Sequence, residues 1–401
     1  MTTLETFAFA PGFRATATAA GLKKNGALDM ALVAADRDCS AAGIFTTNRV
    51  KAAPVRYDMQ VLRENATAVR AVIINAGNAN AVTGAQGDAD CRRTAELTAY
   101  ALRCQPDQVL VLSTGVIGRP LPMDTITQGV AILASPAAHV GAGHAAQAIM
   151  TTDTRPKIAS HTFAHSGGIV TIAGMCKGAG MIHPNMATML AVVTTDARVE
   201  PAVLDTALRY AADRSFNRIS VDGDTSTNDT LLLLASGASG VQIGADDAAF
   251  LAALRAVCTD LARQVARDGE GATRLVELQV RGATDDAMAH TVGNAIARSP
   301  LVKTAIHGFD PNWGRILCAT GYSGAAIDPE TITLTFGTGD EAVLLLDRGA
   351  PVAADLAAAS ALLRHDPVQI TIDLGLGSAA TTVWFCDFSK EYVEINAHYT
   401  T

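Results

Sequence analysis

The sequence lacks paired cysteines, a basic cluster and an apolar run of membrane length, and each absence argues against a class of protein. Its seven cysteines, from Cys39 to Cys386, include no CxxC pair and no cysteine–histidine spacing typical of a metal site, which favours free buried thiols in a reducing compartment. Its 31 basic and 39 acidic residues give a net charge of −8, and without a basic cluster nucleic acid is not an expected partner. No stretch approaches the roughly 20 apolar residues of a membrane span.

The first residues, MTTLETFAFAPGF, lack targeting features. They contain neither the basic region and long apolar core of a secretory signal nor the arginine-rich composition of a transit peptide. Together with the reducing environment inferred from the cysteines, this predicts a cytoplasmic protein. No periodic repeat of about 20 to 50 residues is present, so a repeat array is not expected.

Hydrophobic periodicity alternates between strands and helices, which predicts an α/β fold. With 401 residues, 49% of them hydrophobic, the chain can bury a large core in more than one lobe. The pattern predicts strands at 68–76, 168–174 and 188–194, and helices at 88–102, 123–133, 201–213 and 245–267. We expect the strand at 188–194 to pair near the strand at 168–174.

After Gly269 the pattern changes to short strands. The segments that predict strands are LVELQV, ITLTF, AVLLL, VQITIDL and TTVWFCDF, with helices at 285–297 and 353–363 between some of them. We therefore predict a larger α/β domain over residues 1–240 and a C-terminal domain over residues 241–401.

The segment KGAGMIHPNMATMLAVVTTD places Thr188 directly after the small residue Ala187. A threonine inside a chain is a poor nucleophile because its hydroxyl needs a neighbouring base. If the Ala187–Thr188 bond is cut, Thr188 gains a free α-amine, and the nucleophile then carries its own base. The pKa of an α-amine is about 7.7–8.0, against about 10.4 for lysine, so far more of the amine is unprotonated at neutral pH. The same hydroxyl can make the cut by attacking the Ala187 carbonyl. This attack gives an ester, and hydrolysis of the ester by water separates the two chains.

The residues alone leave a second interpretation of this segment open. MATMLAVVTT also fits a buried strand after a turn at Pro184–Asn185, in which an internal threonine needs no chemical role.

Family-like blocks extend along nearly the whole chain, in order from residue 41 to residue 401. They are AAGIFTTNRVKAAPV, NAGNAN, STGVIG, TTDTRPK, the Met186-Ala187-Thr188 segment, SFNRISVDGDTSTND, EGATR, SPLVKTAIHGFDPNWGRI and EINAHYTT. This series resembles the bifunctional ornithine acetyltransferase family, also called the glutamate N-acetyltransferases. One departure is Ala179, where many relatives have serine, and we expect only a modest local change there because the neighbouring glycines are present.

The resemblance implies both a fold and a reaction. The fold is a self-processing αββα-type layered sandwich, similar to that of self-cleaving aminopeptidases, with a smaller C-terminal α+β lobe. In the implied reaction of arginine biosynthesis, N2-acetyl-L-ornithine acetylates Thr188, L-ornithine leaves, and L-glutamate collects the acetyl group as N-acetyl-L-glutamate. This ping-pong cycle needs no metal and no organic cofactor. The implied products of cleavage are an α chain, 1–187, and a β chain, 188–401, assembled as a heterotetramer of two α and two β chains.

The resemblance also selects residues for the oxyanion and the substrate carboxylate. It points to Thr114 and Gly115, which follow the apolar run VLVL, as an oxyanion hole, although Ser113-Thr114-Gly115 alone also fits a turn that ends a strand. It selects Lys177, in a loop with Gly178, to hold the α-carboxylate of either substrate. Most lysines are solvated surface charges, which is the alternative for Lys177.

Four further positions match substrate contacts of the family. Thr154 in TTDTRPK is one, although such a run is often a turn or a helix cap. Glu270 in EGATR suits an amino group of the substrate, against the alternative of a solvated charge at a helix end. Asn396 and Thr401 match a C-terminal tail that returns to the site, whereas chain ends usually fray.

Several marked segments have no assigned chemistry. VDGDTSTND lacks the register of an EF-hand, so we interpret it as a hydrogen-bonded turn that supports the site. The loop with Asp310, Asn312, Trp313 and Arg315 fits packing near the substrate without a definable role. His183 lies close to the cleavage point in sequence, but a mechanism based on an α-amine does not require a histidine.

Two alternatives from other functional classes stay open, and so does the identity of the donor. A hydrolase related to self-cleaving aminopeptidases would pass the acyl group to water, although those relatives use serine at the cleavage point. An uncleaved binding protein would keep the fold without the chemistry. The sequence leaves undecided whether acetyl-CoA also serves as an acetyl donor.

Overall fold

The computed structural model describes residues 3–183 and 189–398. Within these residues the chain divides into two compact units, the first made of 3–183, 189–217 and 224–265 and the second of 218–223 and 266–398.

The secondary structure of the described residues alternates between strands and helices throughout. The strands are β1 (Phe13–Thr18), β2 (Met30–Phe45), β3 (Val69–Asn78), β4 (Val109–Val116), β5 (His139–Val140), β6 (Lys157–His165), β7 (Gly168–Lys177), β8 (Leu190–Thr195), β9 (Arg198–Val199), β10 (Ile219–Ser220), β11 (Thr230–Ala235), β12 (Gln242–Ile243), β13 (Leu275–Ala283), β14 (Thr333–Phe336), β15 (Val343–Asp347), β16 (Ala350–Pro351), β17 (Val368–Asp373) and β18 (Ala379–Cys386). The helices are α1 (Ala53–Glu64), α2 (Gly84–Leu102), α3 (Met123–Leu133), α4 (Ala142–Ala148), α5 (Pro201–Asp213), α6 (Ala248–Arg267), α7 (Asp286–Arg298), α8 (Pro300–His307), α9 (Trp313–Gly321), α10 (Leu356–Leu362) and α11 (Lys390–His398).

The first unit is built from two sheets that share the long strand β2. Its first part pairs with β1 and β3, and its last part, from Ser40 to Phe45, pairs with β11. One sheet therefore has the order β5-β1-β2-β3-β4, and the other has the order β2-β11-β8-β7-β6. The predicted pairing of the strand after the cleavage segment is confirmed, because β8 lies antiparallel to β7, although it begins at Leu190.

Alternating burial along the strands places a core on each side of the first sheet. In β3 and β4, Ile74 and Leu112 pack with Val192 of the other sheet in one core. Their neighbours Ile73 and Val111 point to the opposite face, where they pack against α2 and α3. The apolar runs are nearly continuous because both faces are buried.

The second sheet of this unit also carries helices on its outer face. Leu261 of α6 lies against β7, where its Cδ1 is 3.2 Å from the position of a Cβ at Gly174. The Sγ of Cys176 lies 3.8 Å from the Leu261 carbonyl oxygen, and α5 contacts β2. The order of layers is therefore helices, sheet, sheet, helices, which confirms the αββα sandwich.

The first unit ends at Val265, whereas the sequence predicts a domain boundary near residue 240. The physical reason is that α6 packs on the second sheet through Leu261, so this helix belongs mainly to the first unit.

The second unit is a smaller α+β lobe with one mixed sheet. Its strand order is β10-β18-β13-β17-β14-β15-β16, with β13 parallel to β17 and antiparallel to β18. One core joins this sheet to α7, α8, α9 and α10, through residues such as Val292, Ile306, Ile316 and Leu362. The short strands predicted after Gly269 are therefore confirmed.

Asp58 of α1 accepts a hydrogen bond from a backbone amide on the outer edge of β4. Its Oδ1 accepts a hydrogen bond of 2.8 Å from the Val111 amide, which lies on the strand edge that no other strand covers in the described part of the sheet. Its Oδ2 has no hydrogen-bond partner among the described residues, and the side chain is fully buried. Burial raises the pKa of Asp58 well above its ordinary value. The hydrogen bond from Val111 acts in the opposite direction, but its effect is smaller.

We predict that Asp58→Asn increases the free energy of unfolding relative to the parent chain, by an amount that grows as pH rises. A folded pKa above the unfolded value of about 3.9 stabilises the fold below that value, and the contribution is lost as pH rises through the folded pKa. Urea unfolding at acidic and mildly alkaline pH measures the difference. Asp36→Asn, in an exposed ion pair with Arg14, is the control and should show no such trend. A constant difference for Asp58→Asn across pH would contradict the prediction.

The described residues show no disulfide. Five of the seven cysteines are buried, including Cys258 of α6, whereas Cys104 is partly buried and Cys318 is exposed. In the part of the chain that the structure describes, no helix is long and apolar enough to cross a membrane. Within residues 3–183 and 189–398, no group of three or more histidine, cysteine, aspartate or glutamate side chains is placed to hold a metal.

Candidate active site

Thr114 and Gly115 lie at the end of β4, where the VLVL run predicts the end of a strand. Gly115 pairs with Gly77 of the parallel strand β3 and has a φ of +130°. A Cβ at position 115 would lie 2.3 Å from the Gly77 carbonyl carbon and 2.5 Å from the Asn78 nitrogen. Only glycine allows this approach of two backbones, so the two glycines fix the path of the chain at Thr114.

Asparagine side chains hold this strand end in place. The Ser113 hydroxyl donates to Asn75 Oδ1 over 2.6 Å, and the Asn228 side-chain amide donates to the carbonyls of Ser113 and Ala79 over 2.8 and 2.7 Å. All three polar side chains are buried. The motifs NAGNAN, STG and TSTND therefore meet at one place, which agrees with a supporting role for the last of them.

Lys177 ends β7 with its side chain directed at Thr114. It is only 6% exposed, and its Nζ lies 3.4 Å from Thr114 Oγ1. Lys177 also pairs with Leu190 at the start of β8, two residues after Thr188 in sequence. The expected oxyanion and carboxylate residues are thus neighbours, beside the strand that follows the expected cleavage point.

Asp153, which is not among the site residues predicted from the sequence, fixes the backbone that follows Lys177. Its Oδ1 accepts from Lys157 Nζ and from the Gly178 amide, both over 2.6 Å. Burial would raise the pKa of Asp153, but the charges of Lys157 and Lys177 lower it well below its ordinary value. The signal was present as Asp153 and Lys157 in TTDTRPK, next to Thr154, which is exposed.

A second lysine adds positive charge near Lys177. The Nζ of Lys23 donates to the carbonyls of Leu28 and Ala148 over 2.6 and 3.0 Å. Burial lowers the pKa of Lys23, while the charges of Asp29 and Asp153 raise it and that of Lys177 lowers it. Lysines therefore surround Asp153 and give this region a surplus of cations, which suits an anionic substrate group.

Asp229 carries a buried carboxyl group near Lys177. Neither of its carboxyl oxygens has a hydrogen bond of ordinary geometry within the described residues, and the residue is 2% exposed. Burial raises its pKa well above the ordinary value, although the nearby Met189 amide and the Lys177 charge act in the opposite direction. Burial therefore makes the Asp229 carboxyl group bind a proton more readily than an exposed aspartate does.

Glu270 and Asn396 meet in the second unit, whereas Thr114, Thr154 and Lys177 belong to the first. The Asn396 side-chain amide donates to Glu270 Oε2 over 2.8 Å, and Glu270 is 7% exposed. Glu270 is therefore buried, in contrast to the alternative of a solvated charge at a helix end.

The other positions predicted from the sequence are placed as follows. Ala187, Thr188 and Thr401 lie outside the described residues. His183 is buried, and its carbonyl accepts from the Thr225 hydroxyl over 3.4 Å. Arg315 donates to the Leu301 carbonyl over 2.8 Å, a contact that assigns no chemical role to its loop.

Sequence comparisons with known proteins extend over nearly the whole chain. The sequence model of the ArgJ family matches residues 14–401. The arginine biosynthesis bifunctional protein ArgJ of Symbiobacterium thermophilum is 49% identical over 396 residues, 97% of each chain. The protein of that name from Geobacter sulfurreducens is 47% identical over 395 residues, 97% of this chain and 99% of its own. A crystal structure of ornithine acetyltransferase complexed with ornithine, from Mycobacterium tuberculosis, shares 44% identity, with a TM-score of 0.40, over 45% of this chain and 94% of that one.

Proposed function

The chain belongs to the ArgJ family, and from this membership we propose in detail how it acts as an acetyltransferase of arginine biosynthesis. It transfers the acetyl group of N2-acetyl-L-ornithine to L-glutamate, and acetyl-Thr188 is the intermediate. The observation that carries the mechanism is the 3.4 Å contact between Lys177 and Thr114, at the strand end that packs Gly115 against Gly77.

The first step of the proposal is self-cleavage. Thr188 Oγ attacks the Ala187 carbonyl, its proton passes to the departing nitrogen, and the amide becomes an ester. Water then hydrolyses the ester, which leaves a carboxylate on Ala187 and a free α-amine on Thr188. This amine is the base that the threonine lacks inside an intact chain.

The second step is transfer through an acyl-enzyme. The Thr188 hydroxyl, deprotonated by its own α-amine, attacks the acetyl carbonyl of N-acetylornithine. The C–N bond breaks, the amine returns the proton to the leaving ornithine, and the acetyl group remains as an ester. The glutamate amine then attacks this ester and frees Thr188. Thr114 and the Gly115 amide stabilise the negative oxygen in both halves, each fixed donor contributing about 2.7–4 kcal/mol.

Cations and one carboxylate hold the two substrates in this proposal. Lys177 pairs with the α-carboxylate that ornithine and glutamate share, and the surplus of lysines near Asp153 supports this assignment. Glu270, held by Asn396, binds an amino group of the substrate. Thr154 and Thr401 are further substrate contacts, proposed from the family motifs.

Incubation with N-acetylornithine alone is expected to leave one acetyl group on the 188–401 chain, at Thr188. Mass spectrometry of the quenched protein measures it, because acetylation adds a fixed mass to that fragment only. Adding glutamate should discharge the group as N-acetylglutamate, and water should discharge it much more slowly.

Initial rates measured against both substrates provide the companion test. Parallel lines in double-reciprocal plots fit a ping-pong cycle, whereas intersecting lines would contradict it. Rapid release of free acetate without transfer to glutamate would instead favour the hydrolase alternative.

Two finer features belong to the same proposal. The names of the relatives call them bifunctional, and we propose that acetyl-CoA, as a second acetyl donor, supplies the second activity. The cleavage products 1–187 and 188–401 assemble as a heterotetramer, and the native mass of the purified protein tests this directly.

A further inference from the structure

Asp387 joins two segments of the second unit through its buried carboxylate. It follows the last residue of β18, and its Oδ1 accepts from the amides of Thr273 and Arg274 over 2.8 and 2.9 Å. Its Oδ2 accepts from the Thr273 hydroxyl over 2.6 Å and contacts His307 Nδ1 over 2.8 Å. Although burial opposes ionisation, these hydrogen bonds lower the pKa of Asp387. An ionised carboxylate only accepts, so Nδ1 of His307 carries the proton and donates.

The helix that carries His307, α8, also contacts the residues on either side of Asp387. Lys303, one turn earlier on α8, is buried and donates to the Cys386 carbonyl. Its Nζ also lies 4.6 Å from the centre of the Phe388 ring. Residues at i and i+4 share one face of a helix, so Lys303 and His307 together hold residues 386–388.

The segment that Asp387 anchors is the loop that carries Glu270. Thr273 lies three residues after Glu270, and the Ala272 amide donates to the Gly269 carbonyl over 2.8 Å, which closes a turn between them. The Ser389 hydroxyl donates to the Gly271 carbonyl over 2.6 Å. A Cβ at Gly271 would lie 2.5 Å from the Tyr392 nitrogen, so the loop packs tightly against the start of α11.

Glu270 is therefore held both at its carboxylate and through the backbone of its loop. Asn396 contacts it directly from α11, and Asp387 fixes the backbone on its C-terminal side. His307 is partly exposed, with a side-chain relative exposure of 38%, while the Asp387 side chain is fully covered. The histidine can thus be changed without opening a cavity in the core, which makes it the informative position to test.

We propose that His307 and Asp387 are positioning residues for Glu270, and that they set the affinity for the amino-acid substrates without taking part in acetyl transfer. The proposal rests on the proposed function, in which Glu270 binds an amino group of the substrate. The proposed function gives neither residue a part in the chemistry at Thr188. Loosening the loop changes substrate binding, and the chemistry at Thr188 stays unchanged.

Steady-state kinetics of the cleaved enzyme test the proposal through four variants. His307→Ala should raise KM for N-acetylornithine and glutamate about tenfold while kcat stays within about twofold, because a hydrogen bond to a charged group is lost. His307→Asn, whose amide can replace Nδ1–H, should restore KM to within about threefold of the parent value. In Glu270→Gln, which weakens the contact itself, adding His307→Ala should raise KM no further.

The results distinguish failure of the positioning role of His307 from failure of the substrate-binding role of Glu270. If Glu270→Gln leaves KM unchanged, the role of Glu270 in the proposed function fails, and the positioning role fails with it. If Glu270→Gln raises KM but His307→Ala does not, the positioning role alone is overturned. An equal fall in kcat for His307→Ala and His307→Asn, or additive effects in the double variant, would indicate a general structural role and would also overturn it.

Discussion

Thr188→Ala is expected to leave the 401-residue chain uncut and to abolish acetyl transfer. Alanine removes the hydroxyl that both attacks the Ala187 carbonyl and carries the acetyl group, so one change stops cleavage and catalysis together. Loss of a nucleophile that works as a unit with its base lowers turnover by about 10⁴-fold or more. A denaturing gel shows the cleavage, and conversion of N-acetylornithine to ornithine in the presence of glutamate shows the transfer.

Thr188→Ser is the matched control for this prediction. It retains the hydroxyl and the potential α-amine, so both cleavage and transfer should persist at a reduced rate. N-terminal sequencing of the second fragment of the parent protein should begin at Thr188. A fragment that begins elsewhere, or a Thr188→Ala protein that still transfers acetyl groups, would remove Thr188 as the nucleophile.

Local sequence patterns predict the helices of the first unit well, because the periodicity and the end signals of these helices lie within the segments themselves. The helices at 123–133 and 201–213 have the predicted bounds, and Pro201 begins the second of them. Strand β2 is different. Three exposed residues, Asp36, Arg37 and Asp38, interrupt its apolar pattern where it passes from one sheet to the other, so the strand depends on partners distant in sequence.

The candidate site shows the same division between local and long-range information. Family motifs identify Thr114, Lys177 and Glu270, and the structure places Lys177 beside Thr114. Asp387 could not be chosen from sequence, because nothing local distinguishes it from a solvated carboxylate, and the spacing of Asp153 and Lys157 indicates an ion pair but not the contact of Asp153 with the Gly178 amide. Their role depends on hydrogen bonds to amides that only the folded chain brings near them.

Gly115→Ala is expected to lower kcat by about 10²–10³-fold, the typical cost of losing one oxyanion donor. A Cβ would lie 2.3 Å from the Gly77 carbonyl carbon, and a backbone atom cannot yield as the end of a flexible side chain can. The φ of +130° at this position is also strained for alanine. The strand end must therefore shift, which moves both the Gly115 amide and Thr114 away from the developing oxyanion.

Gly118→Ala is the matched control for the effect of backbone strain. Gly118 follows in the same segment with a φ of +78°, but a Cβ there would have no atom within 4 Å. It should therefore retain most of the activity, whereas Gly115→Ala should form the acyl-enzyme slowly. If the same donors also stabilise the oxyanion formed at Ala187, Gly115→Ala should also cut its chain more slowly. The rate of acetylation of Thr188 in a single turnover measures the first effect, and the fraction of uncut chain measures the second. Equal kcat values for the two variants would show that strain, not displacement of the oxyanion donor, explains the loss. Normal acylation by Gly115→Ala would place the oxyanion hole elsewhere.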